Sequence, residues 1–372
     1  MAQNKRYAVI GAGNGGHAQA AELSLKGRDV VLFDFPQFDD ILAPIREAGG
    51  ITVTSGVDNF ACGKGEHFAA LPNVTSDIAA AVDRATVVIV VVPCQFHEVV
   101  IAACKGHLKA GQLVLLNPGG VGGSLLLRRA LAAEGADGIL VAQPSDLLYG
   151  GRRSGPAKVN VGAKKKNVAL GVFPAADADT VMDIVGDDFP EYRPFDNVLA
   201  AGLSGPGMAV HPIPMIMNAV KIDQMGAYTY ASYDITPSVA RVIEGLDTER
   251  LAILAALGIE ASSFKDVLNE YYGAEGADFH ETVNNVPGYR KQKAPADFQD
   301  RYITEEIPTQ MVPAALIGNA LGVATPILNA TISYASAING TDYWTEGWTL
   351  EKLGLADMGR DAILDYLRTG VK

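Results

Sequence analysis

The amino-acid sequence predicts a doubly wound (Rossmann-like) α/β domain at the N-terminus, followed by an all-helical domain. Runs of β-branched residues alternate with helical patterns through the first half of the chain, which is typical of parallel βαβ units. A glycine-rich turn joins the first predicted strand to the first predicted helix. Strand patterns then disappear from about residue 197, and helix-start signals replace them. We therefore expect two domains, residues 1–195 and residues 196–372.

The strands of the first domain are predicted from short apolar runs bounded by glycine, proline or asparagine. Residues 86–92 are almost continuously valine and isoleucine, as expected of a central strand buried on both faces. The predicted strands cover residues 7–10, 30–33, 86–92, 113–116, 139–142, 158–162 and 168–173. Helices are predicted over residues 16–26 and around residues 96–108.

The second domain is predicted to be helical from its start signals and its apolar spacing. Thr236-Pro237 is typical of a helix N-cap followed by proline at the first helical position. The apolar residues that follow recur at the spacing i, i+3, i+4 and i+7, which indicates one buried helical face. Those residues are Val239, Val242, Ile243 and Leu246. Thr325-Pro326 repeats the same start signal and predicts another helix.

The charge balance excludes two classes of partner. The formal net charge is −12 and the sequence has no basic stripe, which argues against nucleic acid and against an anionic membrane surface. The one basic run, Lys164-Lys165-Lys166, lies between two predicted strands. We interpret this run as a solvated hairpin turn.

The remaining composition is that of an ordinary globular protein, with 48% hydrophobic and 19% charged residues. No stretch reaches the roughly 18 uncharged apolar residues that span a membrane, and the first residues show no signal-peptide pattern. Three scattered cysteines are too few for a disulfide framework or a zinc knuckle, so no metal site is expected. We expect a cytoplasmic location.

The glycine-rich turn carries the most specific chemical signal in the first domain. Residues 11–16, GAGNGG, match G-x-G-x-x-G between a predicted strand and a predicted helix. In this motif the glycines permit a tight turn, a close approach of the backbone to a pyrophosphate, and close helix packing. The pyrophosphate lies at the helix N-terminus, where unpaired N–H groups face it. The residues assigned to cofactor binding here are Gly11, Gly13, Asn14, Gly15 and Gly16.

Asp34 strengthens the prediction of a dinucleotide site. It ends the second predicted strand, 21 positions after Gly13, where an acidic residue hydrogen-bonds the adenosine ribose. A carboxylate there repels the 2′-phosphate of NADP, and the next arginine is Arg46. We therefore expect NAD, with NADP less favoured. The alternative is a glycine-rich turn that binds no dinucleotide. With NAD, the chain is expected to be a nicotinamide-dependent oxidoreductase.

Two later strands are expected to end at the same crevice. Val92-Pro93 and Asn117 follow the strands over residues 86–92 and 113–116. In open α/β sheets, ligands lie beyond the carboxyl ends of the strands, so these three residues are also assigned to the cofactor, on the nicotinamide side. The alternative is that Pro93 only terminates a buried strand.

His211 is the candidate for proton transfer, because histidine titrates near neutral pH. It lies in a segment crowded with glycine and proline, where Pro212 and Pro214 begin or kink a helix and leave the histidine at an irregular end. The alternative is a histidine satisfied within a helix-packing layer. Packing or capping is expected for His17. Surface positions are expected for His67, His97, His107 and His280.

Several segments along most of the chain resemble one family, the opine dehydrogenases of the octopine/nopaline dehydrogenase group. They are residues 11–18 (GAGNGGHA), 90–93, 117–119, 211–219 (HPIPMIMNA), 235–239 (ITPSV), 301–302, 304–308 (TEEIP) and 349–354 (TLEKLG). The resemblance implies reversible condensation of an L-amino acid with a 2-oxo acid such as pyruvate, and reduction of the imine by NAD(P)H to an N-(carboxyalkyl)amino acid. It also implies a homodimer through the helical domain.

The same resemblance implies a catalytic pair. In the family, the histidine of the HPxP element is the acid/base and an aspartate partners it, which by position gives His211 and Glu306 here. This chain departs from the family by having glutamate, and Glu305 is the alternative partner. A third possibility is that both glutamates lie in a solvated turn at a helix entry.

The substrate carboxylates require cationic partners. Arg301 is the candidate, with Arg152 and Arg153 as alternatives for which surface positions are expected. Trp344 and Trp348 are candidates for an amino-acid side-chain pocket, although large aromatic residues are more often part of a core.

Two other functions stay open from the sequence. One is an NAD-dependent dehydrogenase of 2-hydroxy acids or related C–OH substrates, with a similar two-domain build. The other is a non-catalytic NAD(H)-binding sensor, which has no need of a proton-transfer pair.

Overall fold

The computed structural model describes residues 5–225, 235–287, 289 and 293–372, and it has a β-rich first part and a helical second part. The strands are β1 (Arg6–Ile10), β2 (Asp29–Phe33), β3 (Gly50–Ser55), β4 (Gly65–Ala70), β5 (Asn73–Thr75), β6 (Val87–Val90), β7 (Leu113–Leu116), β8 (Leu140–Pro144), β9 (Tyr149–Gly155), β10 (Lys158–Lys164), β11 (Val168–Phe173) and β12 (Tyr192–Pro194). In the described part of the chain, no strand follows β12.

The main sheet has the strand order β12-β11-β8-β7-β6-β1-β2-β5. Its strands are parallel except at the β8–β11 pair, which is antiparallel. The order reverses between β1 and β6, so the crevice beyond the carboxyl ends of these two strands is the expected ligand position. The doubly wound prediction for the first domain is confirmed.

Both faces of the main sheet are buried, because alternate residues of each strand point to opposite sides. In β1, Tyr7 and Val9 pack into one apolar cluster, whereas Ala8 and Ile10 pack into another on the opposite face. A third cluster forms the core of the helical part. This arrangement explains why the strands appear in the sequence as continuous apolar runs.

A second, smaller sheet was not predicted. It has the strand order β4-β3-β10-β9 and packs against the first helix. Its strands β4 and β9 are rich in glycine and polar residues, so they lack the apolar pattern that marks the main sheet.

The helices of the first part are Asn14–Leu25, Asp39–Ala48, Ile78–Val82, His97–Ala103, Gly123–Ala133 and Ala178–Val185, with 3₁₀ turns at Pro36–Phe38, Cys94–Phe96 and Ala175–Asp177. Those of the second part are Val198–Ser204, Gly207–Val210, Pro212–Met217, Ala219–Met225, Pro237–Ala256, Phe264–Tyr272, Phe279–Asn285, Arg301–Thr304, Val312–Ala320, Pro326–Asn339, Tyr343–Glu346, Leu350–Leu353 and Arg360–Thr369, with a π-helical segment at Ile307–Met311. The change from strand to helix between residues 194 and 198 supports a domain boundary at 195/196.

Both predicted helix starts of the second part are present, but they are capped differently. The Thr236 hydroxyl accepts a hydrogen bond from the Val239 amide, as the N-cap prediction requires. At the helix Pro326–Asn339, the carboxylate of Glu249 accepts the Ile327 and Leu328 amide hydrogens at 2.6 and 3.0 Å. A side chain from another helix therefore caps this one.

Candidate active site

The glycine turn has the close contacts that its motif requires. Gly11 has φ +104°, and a Cβ built on it would lie 2.5 Å from the Val91 carbonyl oxygen. A Cβ on Gly16 would lie 1.7 Å from the Gly11 carbonyl oxygen, so only glycine allows the helix to begin here. A Cβ on Gly13 would have no neighbour within 4 Å. No side chain caps the helix at Gly13, so its first N–H groups suit an anion.

Asp34 lies directly beside this turn. Its Oδ2 accepts a hydrogen bond from the Ala12 amide at 2.7 Å, and its Oδ1 accepts one from the Phe35 amide at 2.9 Å. Burial raises the pKa of Asp34, and the two amide donors oppose this shift. The carboxylate is thus held at the end of β2, where the adenosine ribose is expected.

The ends of β6 and β7 meet the same crevice. A Cβ on Gly11 would lie 2.8 Å from the Val92 side chain, so this residue packs directly against the glycine turn. Pro93 begins the 3₁₀ turn Cys94–Phe96. Asn117 is fully buried, donates to Gln19 Oε1 at 3.2 Å, and keeps its own Oδ1 without a protein partner. These residues and Asn14 at the helix start fit a dinucleotide lying across β1, β6 and β7.

His211 lies between the helices Gly207–Val210 and Pro212–Met217. Pro212 takes the first helical position, so His211 is left at the break between them. The ring stacks on Tyr302 with a centroid distance of 3.8 Å and an interplanar angle of 10°. Its Nδ1 lies 2.6 Å from Glu306 Oε1, so this contact engages one of the two ring nitrogens.

The two candidate glutamates diverge from one buried turn. Glu306 contacts His211, and its second oxygen accepts a hydrogen bond from Gln310. Glu305 accepts the Cys94 amide hydrogen at 2.9 Å and pairs with Arg301 at 3.2 Å. The possibility of a solvated turn is wrong, because the two glutamates are only 2% and 3% exposed.

The direction of these side chains follows from the local backbone. The π-helical segment Ile307–Met311 begins directly after Glu306, and such segments are frequent at functional sites. A Cβ on Gly207 would lie 3.2 Å from Glu306 Oε1, so glycine at this position lets the helix start come close to the pair. The His211–Glu306 pair therefore lies between the π-helical segment and the helix start at Gly207.

Burial controls the protonation of the pair. It raises the pKa of Glu306 to about 8, although the positive charge of Arg301 lowers it. Burial also lowers the pKa of His211, and Arg301 lowers it further. Both shifts disfavour separated charges, so one proton is shared between Nδ1 and Oε1 near neutral pH while Nε2 carries another.

Arg301 and Lys165 supply positive charge around the pair. The Arg301 guanidinium lies 5.3 Å from the centre of the Tyr302 ring. The prediction of a solvated hairpin turn at Lys164–Lys166 is wrong, because β10 and β11 belong to different sheets and two of the three lysines are buried. Lys164 is buried between Glu22 and Glu191, at 2.8 and 2.5 Å, and Lys165 pairs with Asp146 at 2.7 Å. Lys166 is exposed.

This error arises because the carboxylate partners of the two lysines lie far away in sequence. No local pattern signals Glu22, inside the first helix, or Asp146, in the loop after β8, as a partner of these lysines.

The remaining histidines and tryptophans have mixed outcomes. His97 is fully buried rather than exposed, because it shares the inner face of its helix with Val100 and packs against Trp348. His17 is buried with Nδ1 3.0 Å from the Gly13 carbonyl oxygen, a packing position as expected. Trp348 belongs to the helical core.

The other predicted surface positions and substrate candidates are placed as follows. His107 is exposed, and His67 and His280 are half-buried. Arg152 and Arg153 are exposed, as expected. Trp344 packs half-buried against the helical core, and its assignment to a substrate pocket stays a prediction.

Comparison with known proteins gives two family matches. Residues 194–339 match a model described as the NAD/NADP octopine/nopaline dehydrogenase alpha-helical domain. Residues 6–128 match a model described as the N-terminus of NAD-dependent glycerol-3-phosphate dehydrogenase. The opine dehydrogenase of Arthrobacter sp. (strain 1C) is 35% identical over 363 residues, 96% of this chain and 97% of that protein.

Solved structures share the fold along the chain. An octopine dehydrogenase with NADH and L-arginine has a TM-score of 0.77 at 21% identity, covering 99% of this chain and 98% of that one. An octopine dehydrogenase with NADH and pyruvate has a TM-score of 0.74 at 20% identity with the same coverage. No helix in the described ranges is long and apolar enough to cross a membrane.

Proposed function

The chain belongs to the octopine/nopaline dehydrogenase family, and from this premise we propose that it condenses an L-amino acid with a 2-oxo acid and reduces the imine with NADH. It is an NAD-dependent oxidoreductase acting on CH–NH donors. The observation that carries the proposal is the buried His211–Glu306 pair, which gives an otherwise general dinucleotide fold a group for proton transfer.

The cofactor site consists of the residues assigned from the sequence, which surround one crevice. They are Gly11, Gly13, Asn14, Gly15, Gly16, Asp34, Val92, Pro93 and Asn117. The Asp34 carboxylate beside the glycine turn favours NAD over NADP, because a 2′-phosphate would be repelled by it. When bound, the dinucleotide supplies the hydride for the reduction.

His211 is assigned as the catalytic acid/base. The amino group of one substrate attacks the carbonyl carbon of the other, and loss of water leaves a C=N bond. Nε2–H of His211 protonates the departing oxygen, and Glu306 moves its shared proton fully onto Nδ1 as Nε2 gives up its own. The nitrogen keeps one of its amino protons, so loss of water leaves an iminium group, whose carbon would accept the hydride that a bound NADH supplies to give the secondary amine. The net reaction consumes one NADH and one proton and releases water.

Arg301 is assigned to the carboxylate of the 2-oxo acid. Glu305 joins the Arg301 guanidinium to the Cys94 amide, which directly follows the strand end on the nicotinamide side. Glu305 thus links the arginine to the strand end on the nicotinamide side, and a guanidinium suits bidentate binding of a carboxylate. Burial raises the pKa of the Cys94 thiol well above its usual value, so this residue stays neutral.

A cosubstrate assay tests the function. NADH oxidation by the purified enzyme is expected only when an L-amino acid and pyruvate are both present, and a panel of amino acids identifies the preferred one. Oxidation with pyruvate alone would instead support a C–OH dehydrogenase. NADH binding without turnover under any pair of substrates would support a sensor.

We also propose that the protein is a homodimer through its helical domain. An apolar groove between three helices is lined in part by Ile213, Val242 and Ile327. Two of the side chains that line it are large, apolar and exposed, with Met217 51% and Tyr334 61% exposed. Apolar patches that face solvent are typical of protein interfaces. A cytoplasmic location stays a prediction.

Sedimentation tests the dimer. The wild-type protein is expected to sediment as a dimer, and Tyr334→Asp is expected to shift it to a monomer because a carboxylate would be buried in the contact. Val371→Asp is the matched control, since this valine is equally exposed on the C-terminal residues. A wild-type monomer at micromolar concentration would contradict the proposal.

A further inference from the structure

The connection between β10 and β11 places a second cation near the catalytic pair. The Lys165 ammonium lies 2.7 Å from Asp146 Oδ2 and 5.5 Å from the centre of the Tyr271 ring. Its side chain is only 10% exposed, compared with 49% for Arg301. Lysine is rarely buried to this extent unless it is paired. The carboxylate and the ring therefore hold this ammonium at a defined position.

The loop that carries Asp146 lies between the cofactor turn and the helical domain. On one side, the Leu147 side chain lies 3.0 Å from the position of a Cβ on Gly15. On the other side, the Ser145 carbonyl oxygen lies 2.4 Å from the position of a Cβ on Gly205. The loop thus connects the dinucleotide turn with the segment that leads to the catalytic histidine.

The same segment reaches the catalytic pair two residues later. Gly207 lies against both Glu306 and the His211 ring, with a Cβ position 3.2 Å from the carboxylate and 3.5 Å from the ring. Asp146 and Lys165 accordingly influence the pKa of both members of the pair, the lysine lowering it and the aspartate raising it. The ion pair therefore borders the cleft in which the substrate reacts.

We propose that Lys165 binds the α-carboxylate of the amino-acid substrate and that Asp146 is the positioning residue for its ammonium. The inference rests on the proposed function. The product carries one carboxylate on each side of the secondary amine, and each requires a cationic partner. Arg301, joined through Glu305 to the nicotinamide side, takes the carboxylate of the 2-oxo acid. Lys165 is then the cation that binds the carboxylate of the amino acid.

The chemistry of the ammonium fits this task. It has three donors, of which Asp146 takes one, so the others can turn to a substrate carboxylate. While Lys165 is paired with Asp146, the two side chains together carry no net charge in the cleft without substrate. The substrate nitrogen is bonded to the imine carbon, which fixes the position of the α-carboxylate. This carboxylate then accepts the remaining hydrogen bonds of the Lys165 ammonium.

Substrate pairs that differ only in this carboxylate test the inference. L-Alanine and ethylamine, L-phenylalanine and 2-phenylethylamine, and L-arginine and agmatine are assayed with pyruvate and NADH. Because the acid member would form a charged hydrogen bond with Lys165 and the amine would not, the wild-type enzyme is expected to prefer the acid member by about 100-fold in kcat/KM. In Lys165→Met this preference should fall below about 5-fold, mainly through KM. Lys165→Arg should keep most of it.

Lys166→Met is the matched control, because it removes the same charge from the exposed neighbour in the same connection. It is expected to keep the wild-type preference. Asp146→Asn should weaken the preference while leaving KM for pyruvate unchanged, which a merely structural role would not produce.

The outcomes separate the inference from the proposed function. Absence of amino-acid-dependent turnover in the wild-type enzyme overturns the function itself. If turnover is present but wild type uses the amines within about 5-fold of the acids, the inference is overturned without any variant. It is also overturned if Lys165→Met raises KM for NADH rather than for the amino acid, since Lys165 would then serve the cofactor.

Discussion

Replacing His211 by alanine is expected to lower kcat by about 10³-fold, the range for removal of a general acid/base. In the proposed mechanism, Nε2 gives up the proton to the substrate while Nδ1 is engaged by Glu306. The cofactor site lies across the cleft on the strand ends, so NADH affinity should stay within about 2-fold of wild type. Steady-state kinetics with pyruvate and the preferred amino acid, together with NADH fluorescence, measure both quantities.

His107→Ala is the control for this experiment, because His107 is exposed and has no assigned role in the site. It should keep the wild-type kcat. Removal of the His211 ring also removes its stacking on Tyr302, so thermal unfolding of both variants is compared. A folded His211→Ala enzyme that keeps more than about a tenth of the wild-type rate would contradict the assigned role.

The parts of the fold that sequence could predict are those that repeat a local physical pattern. β1, β2, β6 and β7 are continuous apolar runs because both of their faces are covered. Gly11 and Gly16 of the turn lie at the close backbone contacts that the G-x-G-x-x-G motif predicts. The helix Pro237–Ala256 begins at its predicted cap. In the small sheet only β10 was predicted, and β4 and β9 were missed because their glycine and polar residues carry no such pattern.

The residues of the candidate site likewise differ in how far the sequence could predict them. His211 was recognised from its proline-rich surroundings, and Glu306 from a resemblance rather than from physics. The choice between Glu305 and Glu306 depends on a π-helical segment, which sends two adjacent side chains to different partners. Lys165 was misread because its partner lies in a distant loop, and a basic run in a turn is usually solvated.

The second large effect is expected at Glu306. Glu306→Gln keeps the size of the side chain and its neighbour Gln310, but an amide cannot share a titrating proton with Nδ1. We expect kcat in the reductive direction to fall by about 30-fold, less than for loss of the histidine. Glu306→Asp, which keeps the titrating group one methylene shorter, should retain more activity than the glutamine variant.

The pH dependence follows from the direction of the shift. Burial raises the pKa of Glu306 from an ordinary value of 4.5 to about 8, so the pair is loaded with its proton below about pH 8 and loses it above. Reduction consumes a proton, so its kcat at saturating substrates should fall as the pH rises through 8. Arg301, Asp146 and Lys165 are the charged groups that tune this value.

Comparison with the variants isolates the Glu306 proton, because titration of the substrate amine is common to all three enzymes. The fall near pH 8 should be present in wild type and Glu306→Asp and absent in Glu306→Gln. The free energy of unfolding should also fall as the pH rises. Because the pKa of Glu306 is raised in the folded state, its contribution to stability is fully present below about pH 4.5 and is lost as the pH rises towards 8. The unfolding free energy of wild type should therefore decline relative to Glu306→Gln across that interval. Parallel kcat profiles in wild type and Glu306→Gln would show that the shared proton belongs to another group.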